Sequence, residues 1–440
     1  MTGPRVLASR PLGRRAFALG SAALGGAALA GCSRFTSGGG SSSSDGSVEL
    51  SFAWWGDAAR AEATEAAVRR FEEENPGITV RTEYQDSGPY QDKLATRIAA
   101  GDAPDLFAVP NRSLREYASR GALMDLSKAE VDTTTVEDTV LALGTVDDTL
   151  YGVAAGLNTL GVVFRRKHLL DAGLELPDGL SWSWDDYEEL CRRITESTGG
   201  TVYGSGYSTV AETTNITWTR QQGEDFYTED ARFGASRESI AAWYAMNERF
   251  RDSGALPPPG YSDVQGNSAE QQLISQDKVA SQFFATNNFK AYNAASEGDL
   301  LILRMPGETT SERRGHSIDC SMLWSLSSQT EHPAEAAALL DYLVNDPAAY
   351  TEMMTTRGVP PNREVTEVIK ADLHPDDLAA TEYLLALQEE DLPTMFVYPR
   401  GASAMADEIA TVAVEIEFGR MTPEQAADAL LRVGETELSA

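Results

Sequence analysis

The chain has 440 residues, 42% of them hydrophobic, which is enough for two or three domains with large buried cores. Its formal net charge of −31 makes nucleic acid and anionic lipid headgroups unfavourable partners and suits a neutral ligand better than an anionic one. The four histidines are far apart in the sequence, which argues against a metal site. No phosphate loop or dinucleotide motif indicates a cofactor, so none is expected.

The first 31 residues have the pattern of an export signal. Arg14 and Arg15 precede the uncharged run AFALGSAALGGAALAG, which is too short and too weakly hydrophobic to span a bilayer comfortably. RRAF resembles the twin-arginine export motif, and LAGC, ending at Cys32, resembles the bacterial lipobox, whose cysteine is acylated and becomes the mature N-terminus. We expect a lipid anchor at Cys32 and a flexible tether over 32–47, the alternative being an uncleaved helical anchor.

Strands and helices alternate after the tether. The sequence predicts a strand over VELSFAWW and a helix over Ala58–Glu74, which ends at an Asn-Pro-Gly turn. ITVRTEY is the next strand, YQDKLATRIAAG a second helix, and DLFAVP a fully apolar strand of the kind buried on both faces of a sheet. This order predicts a parallel α/β sheet, in which ligands bind beyond the carboxyl ends of the strands.

The second half of the chain continues in the same style. TLYGVAAGLNTLGVVFRR contains two short strands, and DKVASQFFATNN and SIDCSMLWSL are also typical of strands. Helices are predicted from Trp184, over 236–252, over Pro333–Asn345, and from Thr422, where Pro423 occupies the first turn. Cys191 and Cys320 lie in apolar surroundings and predict two buried thiols, with a disulfide as the open alternative.

Several longer phrases match a known family in order. They are NPGITV, YQDKLATRIAAGDAPDLFAVPNRSLREYASRGALMDL, YGVAAGLNTLGVVFRRKHLLDAGL, HPAEAAALLDYLVNDPAA with RGVPPN, and FGRMTPEQAADAL. They resemble the extracellular solute-binding proteins of carbohydrate ABC importers, the maltose-binding group, over almost the whole chain after the tether. The resemblance implies a two-lobed, type II-like periplasmic-binding-protein fold that closes on a sugar by hinge motion and passes it unaltered to permease subunits.

The resemblance also implies domain boundaries, and the lipobox at Cys32 implies a location. Three crossovers between lobes are expected near 156–160, 323–326 and 357–361. One lobe then comprises residues 48–157 and 325–358, and the other comprises 158–324 and 359–440. The protein is expected to be a non-catalytic monomer, exported and lipid-anchored on the outer face of the cytoplasmic membrane.

A sugar site needs aromatic platforms and polar groups that replace the hydrogen bonds lost from water. In the first lobe, Trp55 is expected to stack on the ligand, and Asp57 to accept hydroxyl bonds or else to cap the following helix. Asn111 and Arg112 follow the third strand, where the family commonly places ligand contacts, with a solvated loop as the alternative. Asn158, after the first crossover, faces the cleft in relatives or else caps a turn.

The second lobe supplies the remaining candidates. Asn215 and Trp218, in NITWTRQQG, stand at a position that resembles the aromatic ligand loop of the family, with a buried Trp218 that anchors its helix as the alternative. Asn287 stands where relatives present an aromatic or an amide, and the lack of a tryptophan there argues against maltodextrin. The other candidates are Trp324 at the second crossover, as the foremost stacking residue, with Tyr398 and Arg400. Core packing is expected instead for Trp54, Trp182, Trp184 and Phe284.

Two other functions remain open from the sequence. A membrane-tethered glycoside hydrolase needs two carboxylates about 5 to 10 Å apart, and the 67 acidic residues do not exclude such a pair, although none stands in a recognisable catalytic motif. A receptor for anions or peptides needs clustered basic residues, for which only Arg112 and Arg400 are candidates.

Overall fold

The computed structural model describes residues 47–438 except 176, 178, 262–267 and 391. The expected export signal, Cys32 and nearly all of the tether therefore lie outside the described residues. Within the described ranges, no helix combines the length and the apolar character needed to cross a membrane.

The strands are β1 (Val48–Trp55), β2 (Ile78–Gln85), β3 (Leu106–Pro110), β4 (Thr145–Val146), β5 (Thr149–Leu150), β6 (Val153–Ala154), β7 (Leu157–Asn158), β8 (Leu160–Arg165), β9 (Tyr203–Ser205), β10 (Val279–Ala285), β11 (Leu300–Leu303), β12 (Asp319–Cys320) and β13 (Met322–Leu326). The α-helices are α1 (Ala58–Glu74), α2 (Ser87–Ala100), α3 (Leu114–Ser119), α4 (Asp138–Leu141), α5 (Arg166–Asp171), α6 (Trp184–Ser197), α7 (Glu212–Gln221), α8 (Arg237–Asp252), α9 (Phe289–Ala295), α10 (Pro333–Asn345), α11 (Pro347–Met353), α12 (Arg363–Ile369), α13 (Pro375–Gln388), α14 (Ala402–Glu417) and α15 (Pro423–Thr436).

Local signals account for many of these boundaries. The Asp57 side chain caps α1 by accepting a hydrogen bond from the backbone N–H of Arg60 at 2.8 Å. Gly101 ends α2 in the left-handed conformation, at φ 70°. Thr422 and Gln425 form a capping box at the start of α15. The helices predicted at these places are confirmed.

The first sheet has the strand order β2–β1–β3–β13–β6. β1 runs parallel to β2 and to β3, as the alternation of strands and helices predicts. β13 enters the same sheet antiparallel to β3 and to β6. All five residues of β3 are buried, which agrees with a central strand that has both faces covered.

The second sheet has the order β11–β8–β10–β9. β8 is antiparallel to both of its neighbours, β10 and β11, whereas β10 and β9 are parallel. A separate small pair joins β7 to β12, with Asp319 opposite Asn158 and Cys320 opposite Leu157. The molecule is thus a mixed α/β structure with two central sheets, and the predicted α/β class is confirmed.

The chain passes from the first sheet to the second at β7 and back at β12, and a third passage, next to Val359, leads from the first sheet to the helices that pack on α8 and α9. Leu157 and Val359 exchange backbone hydrogen bonds of 2.7 and 2.9 Å, so all three passages lie side by side. The second passage precedes the position expected from the sequence, because 323–326 belongs to β13 inside the first sheet. Gly358 has φ +118°, and a Cβ there would lie 2.3 Å from the Leu157 carbonyl oxygen, so these segments touch at backbone distance.

The tryptophans and cysteines mostly serve packing. Trp54 and Trp324 have no accessible surface. Cys191 and Cys320 are buried free thiols, which confirms the predicted state and excludes the disulfide alternative. Burial raises the pKa of Cys191 to about 12, so this thiol stays protonated and unreactive at neutral pH.

Candidate functional site

The carboxyl end of β3 adjoins the passages between the sheets. Because β13 is antiparallel to β3, its first residue pairs with Pro110, and β12 comes to lie beside Asn111. The Asn111 backbone N–H donates to the Ser321 carbonyl at 3.3 Å, and its side-chain amide donates to the Cys320 carbonyl at 2.7 Å. The strand end that the sequence marks as ligand-facing is thus held against the second passage.

Arg112 makes an ion pair with an acid from the part of the chain around the second sheet. Its Nε donates to Glu212 Oε2 at 3.0 Å, and its Nη2 contacts the same oxygen. Glu212 is the first residue of α7, and only 2% of its side chain is exposed. The Tyr227 hydroxyl donates to its other oxygen, Oε1. This ion pair directly connects the two sheet-centred parts of the molecule.

Tyr398 and Asp319 complete the arrangement. The Arg112 guanidinium lies 5.2 Å from the centre of the Tyr398 ring, and the Tyr398 hydroxyl donates to Asp319 Oδ2 at 3.2 Å. Asp319 Oδ1 accepts from the Cys320 N–H at 2.7 Å and from the Asn111 amide at 3.4 Å. We call the following six residues the Arg112 cluster: Asn111, Arg112, Glu212, Tyr227, Asp319 and Tyr398.

Burial and charge set the protonation states in the Arg112 cluster. Burial tends to lower the pKa of Arg112, but the Glu212 carboxylate outweighs it and raises that pKa, so the guanidinium stays charged. Burial raises the pKa of Asp319, and the Cys320 N–H and Arg112 only partly offset the effect. Burial also raises the pKa of Tyr227 and Tyr398 well above the ordinary range, which keeps both hydroxyls as donors.

Two small cavities border the passages. One, of about 30 Å³, is lined by Asn158, Thr159, Leu160, Thr213, Ile216, Thr217, Ala285, Ser317, Asp319 and Met395. The other, of about 20 Å³, includes Asn287, whose buried Oδ1 has no hydrogen-bond partner among the described residues. Each volume suits one or two water molecules, so a sugar ring requires the site to open. Asn158 and Asn287 thus lie at the passages, and their contact with a ligand stays a prediction.

Trp218 lies elsewhere, along an open groove of about 400 Å³. This groove is lined by Ser183, Trp184, Asp185, Trp218, Gln221, Gln222, Met246, Arg249, Thr310, Ser311 and Glu312. The Trp218 indole donates to the Ser239 carbonyl at 2.9 Å and packs on Trp243, so it anchors α7 to α8. These contacts agree with the helix-anchor alternative, and Trp218 lines this groove rather than the small cavity that Thr213 and Thr217 line.

The predicted stacking roles of Trp324 and Trp55 are wrong in this structure. Trp324 lies within β13 with 0% exposure, and its ring centre is 5.2 Å from that of Phe52. Trp55 is 9% exposed because Tyr90 covers it at a ring distance of 5.4 Å. A ring that is covered by core neighbours has no free face for a sugar.

Three polar candidates also lie apart from the Arg112 cluster. Asp57 caps α1, as its alternative role predicts. The Asn215 amide donates to the Thr209 and Ala211 carbonyls at 3.0 and 2.8 Å, which ties down the start of its own helix rather than facing a cleft. Arg400 is exposed just before α14. Asn111, Arg112 and Tyr398 are the candidates that the fold brings together.

Sequence reasoning missed Glu212, Tyr227 and Asp319. Asp319 lies within the strand-like run SIDCSMLWSL, and Glu212 begins the helix that contains the predicted ligand loop, so both belong to segments that the sequence itself identifies. Nothing local distinguishes these acids from the others among the chain's 67 acidic residues. Their convergence depends on contacts such as Arg112 with Glu212, which are 100 residues apart.

The sequence and the structure of the chain are both similar to those of known solute-binding proteins. Residues 55–350 match the model of the bacterial extracellular solute-binding protein family. The diacetylchitobiose-binding protein DasA of Streptomyces coelicolor is 24% identical over 309 residues, which is 66% of this chain and 67% of that protein. A family 1 extracellular solute-binding protein of Alicyclobacillus acidocaldarius has a TM-score of 0.73 at 24% identity, covering 89% of this chain and 99% of its own.

A third similar protein is a periplasmic oligogalacturonide-binding protein of Yersinia enterocolitica, solved with saturated digalacturonic acid. Its TM-score is 0.74 at 20% identity, with 88% of this chain and 98% of that chain covered. These structural similarities confirm the predicted two-lobed periplasmic-binding-protein fold.

Proposed function

The chain belongs to the bacterial extracellular solute-binding protein family, and from this premise we propose that it captures a neutral sugar or oligosaccharide between its lobes and delivers it to ABC transporter permease subunits. The observation that carries the proposal is the Arg112 cluster, which joins both sheet-centred parts beside the passages. It combines an amide and a guanidinium, polar groups that a sugar site needs, with the Tyr398 ring, which is 3% exposed here and becomes available only when the site opens. Similar proteins named for diacetylchitobiose and oligogalacturonide support a carbohydrate ligand.

The lobes proposed from the sequence need one adjustment. The boundary between 324 and 325 divides β13, all of which pairs within the first sheet. We therefore place that boundary at Ser321, between β12 and β13. The first lobe then comprises 48–157 and 322–358, and the second comprises 158–321 and 359–440.

Hinge motion at the passages opens and closes the site in this proposal. On opening, Asn111 and Arg112 stay with the first lobe, whereas Glu212 and Tyr398 stay with the second. A sugar then enters between them, and its hydroxyls take over hydrogen bonds that closure would otherwise leave unmade. No bond of the ligand is broken, so the sugar is released unchanged to the permease.

The location is also part of the proposal. The LAGC motif and the Gly/Ser tether support a lipid anchor at Cys32 on the outer face of the cytoplasmic membrane, with the binding domain acting there as a monomer. The tether lets the domain reach a permease in the same membrane.

Calorimetric titration of the soluble chain beginning after Cys32 tests the function. We expect saturable binding of at least one sugar from a panel that includes diacetylchitobiose, galactobiose and common monosaccharides, with no product detected by chromatography. Arg112→Ala weakens this binding at least tenfold. Arg400→Ala, a matched change at an exposed arginine outside the cluster, leaves it unchanged. Hydrolysis of the sugar, or no binding across the panel, contradicts the proposal.

A further inference from the structure

Glu212 and Arg112 neutralise each other within the candidate site. The Glu212 side chain is 2% exposed, whereas the Arg112 side chain is 36% exposed. Glu212 accepts from Arg112 Nε and Nη2 and from the Tyr227 hydroxyl. Because a guanidinium carries five N–H groups, Arg112 keeps donors beyond those that Glu212 engages. The arginine is therefore already paired and still accessible.

Arg112 is the one cation that forms an ion pair with the acids of the cluster among the described residues, although Arg220 also interacts electrostatically with Asp319. Among the described residues, Glu212 makes its only ion pair with Arg112, and Asp319 makes none within 4 Å. The groups that face Arg112 are Glu212, Asp319 and Tyr398. Glu212 therefore neutralises Arg112 before any ligand arrives.

We propose that Glu212 determines the charge preference of the site, so that it accepts uncharged sugars and discriminates against uronic acids. A ligand carboxylate must displace Glu212 from Arg112, which leaves a buried carboxylate without its cation. A sugar hydroxyl can instead accept from the free N–H groups of Arg112 without breaking the ion pair. This inference rests on the proposed function and names the substrate class of the same site.

Glu212→Gln removes the negative charge of this side chain while keeping nearly the same size and shape. The amide oxygen still accepts from Arg112, while the negative charge is removed and the guanidinium becomes available to a ligand carboxylate. We expect the wild-type protein to prefer the neutral member of a matched pair at least tenfold. We expect the variant to reduce this preference at least tenfold, mainly through tighter and more salt-sensitive binding of the acid.

The probes are glucose with glucuronic acid and galactobiose with digalacturonic acid, measured by titration calorimetry alongside the full neutral panel. Glu312→Gln is the matched control, because Glu312 is an exposed carboxylate in the open groove that Trp218 lines, outside the Arg112 cluster. The Glu312→Gln variant should prefer neutral sugars over uronic acids as strongly as the wild-type protein does. If Glu212→Gln fails to fold, Glu212→Asp, which shortens the carboxylate and loosens the pair, should still reduce the preference.

The outcomes distinguish failure of the proposed role of Glu212 from failure of the proposed sugar-binding function on which it rests. If no sugar binds the wild-type protein, the proposed function fails. If a neutral sugar binds but the folded Glu212 variants keep the wild-type preference, the role of Glu212 is overturned and the function stands. Preference of the wild type for the uronic acid overturns the inference as well.

Discussion

The chemistry of individual side chains here depends on what covers them. Trp324 was the foremost aromatic candidate, yet Phe52 lies at its ring and Arg357 lies over it at 5.2 Å. Tyr398, by contrast, has its ring beside Arg112 and its hydroxyl on Asp319. The Tyr398 ring is 3% exposed and lies 5.5 Å from the Tyr227 ring, so it is also covered in this structure, and what distinguishes it from Trp324 is the hydroxyl that joins the Arg112 cluster.

The contributions of two partly buried carboxylates, Asp319 and Asp105, to the stability of the folded protein change with pH in opposite directions. Burial raises the pKa of Asp319 above its ordinary 3.8, so its contribution to stability is present below that value and is lost as pH rises through the folded-state pKa. At Asp105, burial is outweighed by hydrogen bonds from Thr330 and Ser51, which lower the pKa. The stabilisation by Asp105 is present above 3.8 and is lost as pH falls.

Asp319→Asn and Asp105→Asn therefore form a matched pair of tests. We expect Asp319→Asn to gain melting temperature relative to the wild type as pH rises from about 3 to about 8, because the cost of ionising the buried acid is removed. Asp105→Asn should lose melting temperature over the same interval. Scanning calorimetry of the three proteins measures both trends, and differences that do not vary with pH would contradict them.

Among the elements, the segment before the third passage contains a buried arginine, Arg357. Arg357 is 6% exposed, and its Nε, Nη1 and Nη2 have no hydrogen-bond partner among the described residues. Burial lowers the pKa of its guanidinium to about 9. The contact with the Trp324 ring compensates for only part of the lost hydration, since such contacts contribute about 2 kcal/mol when desolvated.

Arg357→Met is expected to stabilise the folded protein by about 1 to 4 kcal/mol, because a methionine fills similar volume without burying a charge. Chemical denaturation monitored by tryptophan fluorescence measures the change. Arg363→Met, at an exposed arginine paired with Glu389 and Glu137, should change stability by less than about 1 kcal/mol. A loss of stability in Arg357→Met would mean that the guanidinium has a stabilising partner.

At the scale of the whole molecule, three adjacent passages connect two sheet-centred parts, and the proposed hinge motion takes place there. Gly358 and Leu157 touch at backbone distance there, so motion must be absorbed by torsions around the passages rather than by sliding side chains. The Arg112–Glu212 pair bridges the same region from both sides. A solute that binds between the parts can therefore shift the balance between open and closed forms.

Attachment to the membrane is tested on the complete chain. Cys32→Ser removes the thiol that the lipobox would acylate, and we expect the protein to move from the membrane pellet to the soluble fraction after cell fractionation. Cys191→Ser and Cys320→Ser, which alter buried thiols of the folded domain, should leave the protein in the membrane fraction. Retention of Cys32→Ser on membranes would contradict acylation as the anchor.

The sequence by itself determined features that depend on near neighbours: the alternation of strands and helices, helix ends such as Asp57 and Gly101, and the family resemblance. Only the tertiary structure decided that Arg112 and Tyr398 meet with Glu212, while Asn215 and Trp324 do not join them. The reason is physical, because caps and periodicity act within a few residues, whereas side-chain convergence depends on how the passages bring distant strand ends together. Arg112 and Glu212 are 100 residues apart in sequence and yet form a direct ion pair.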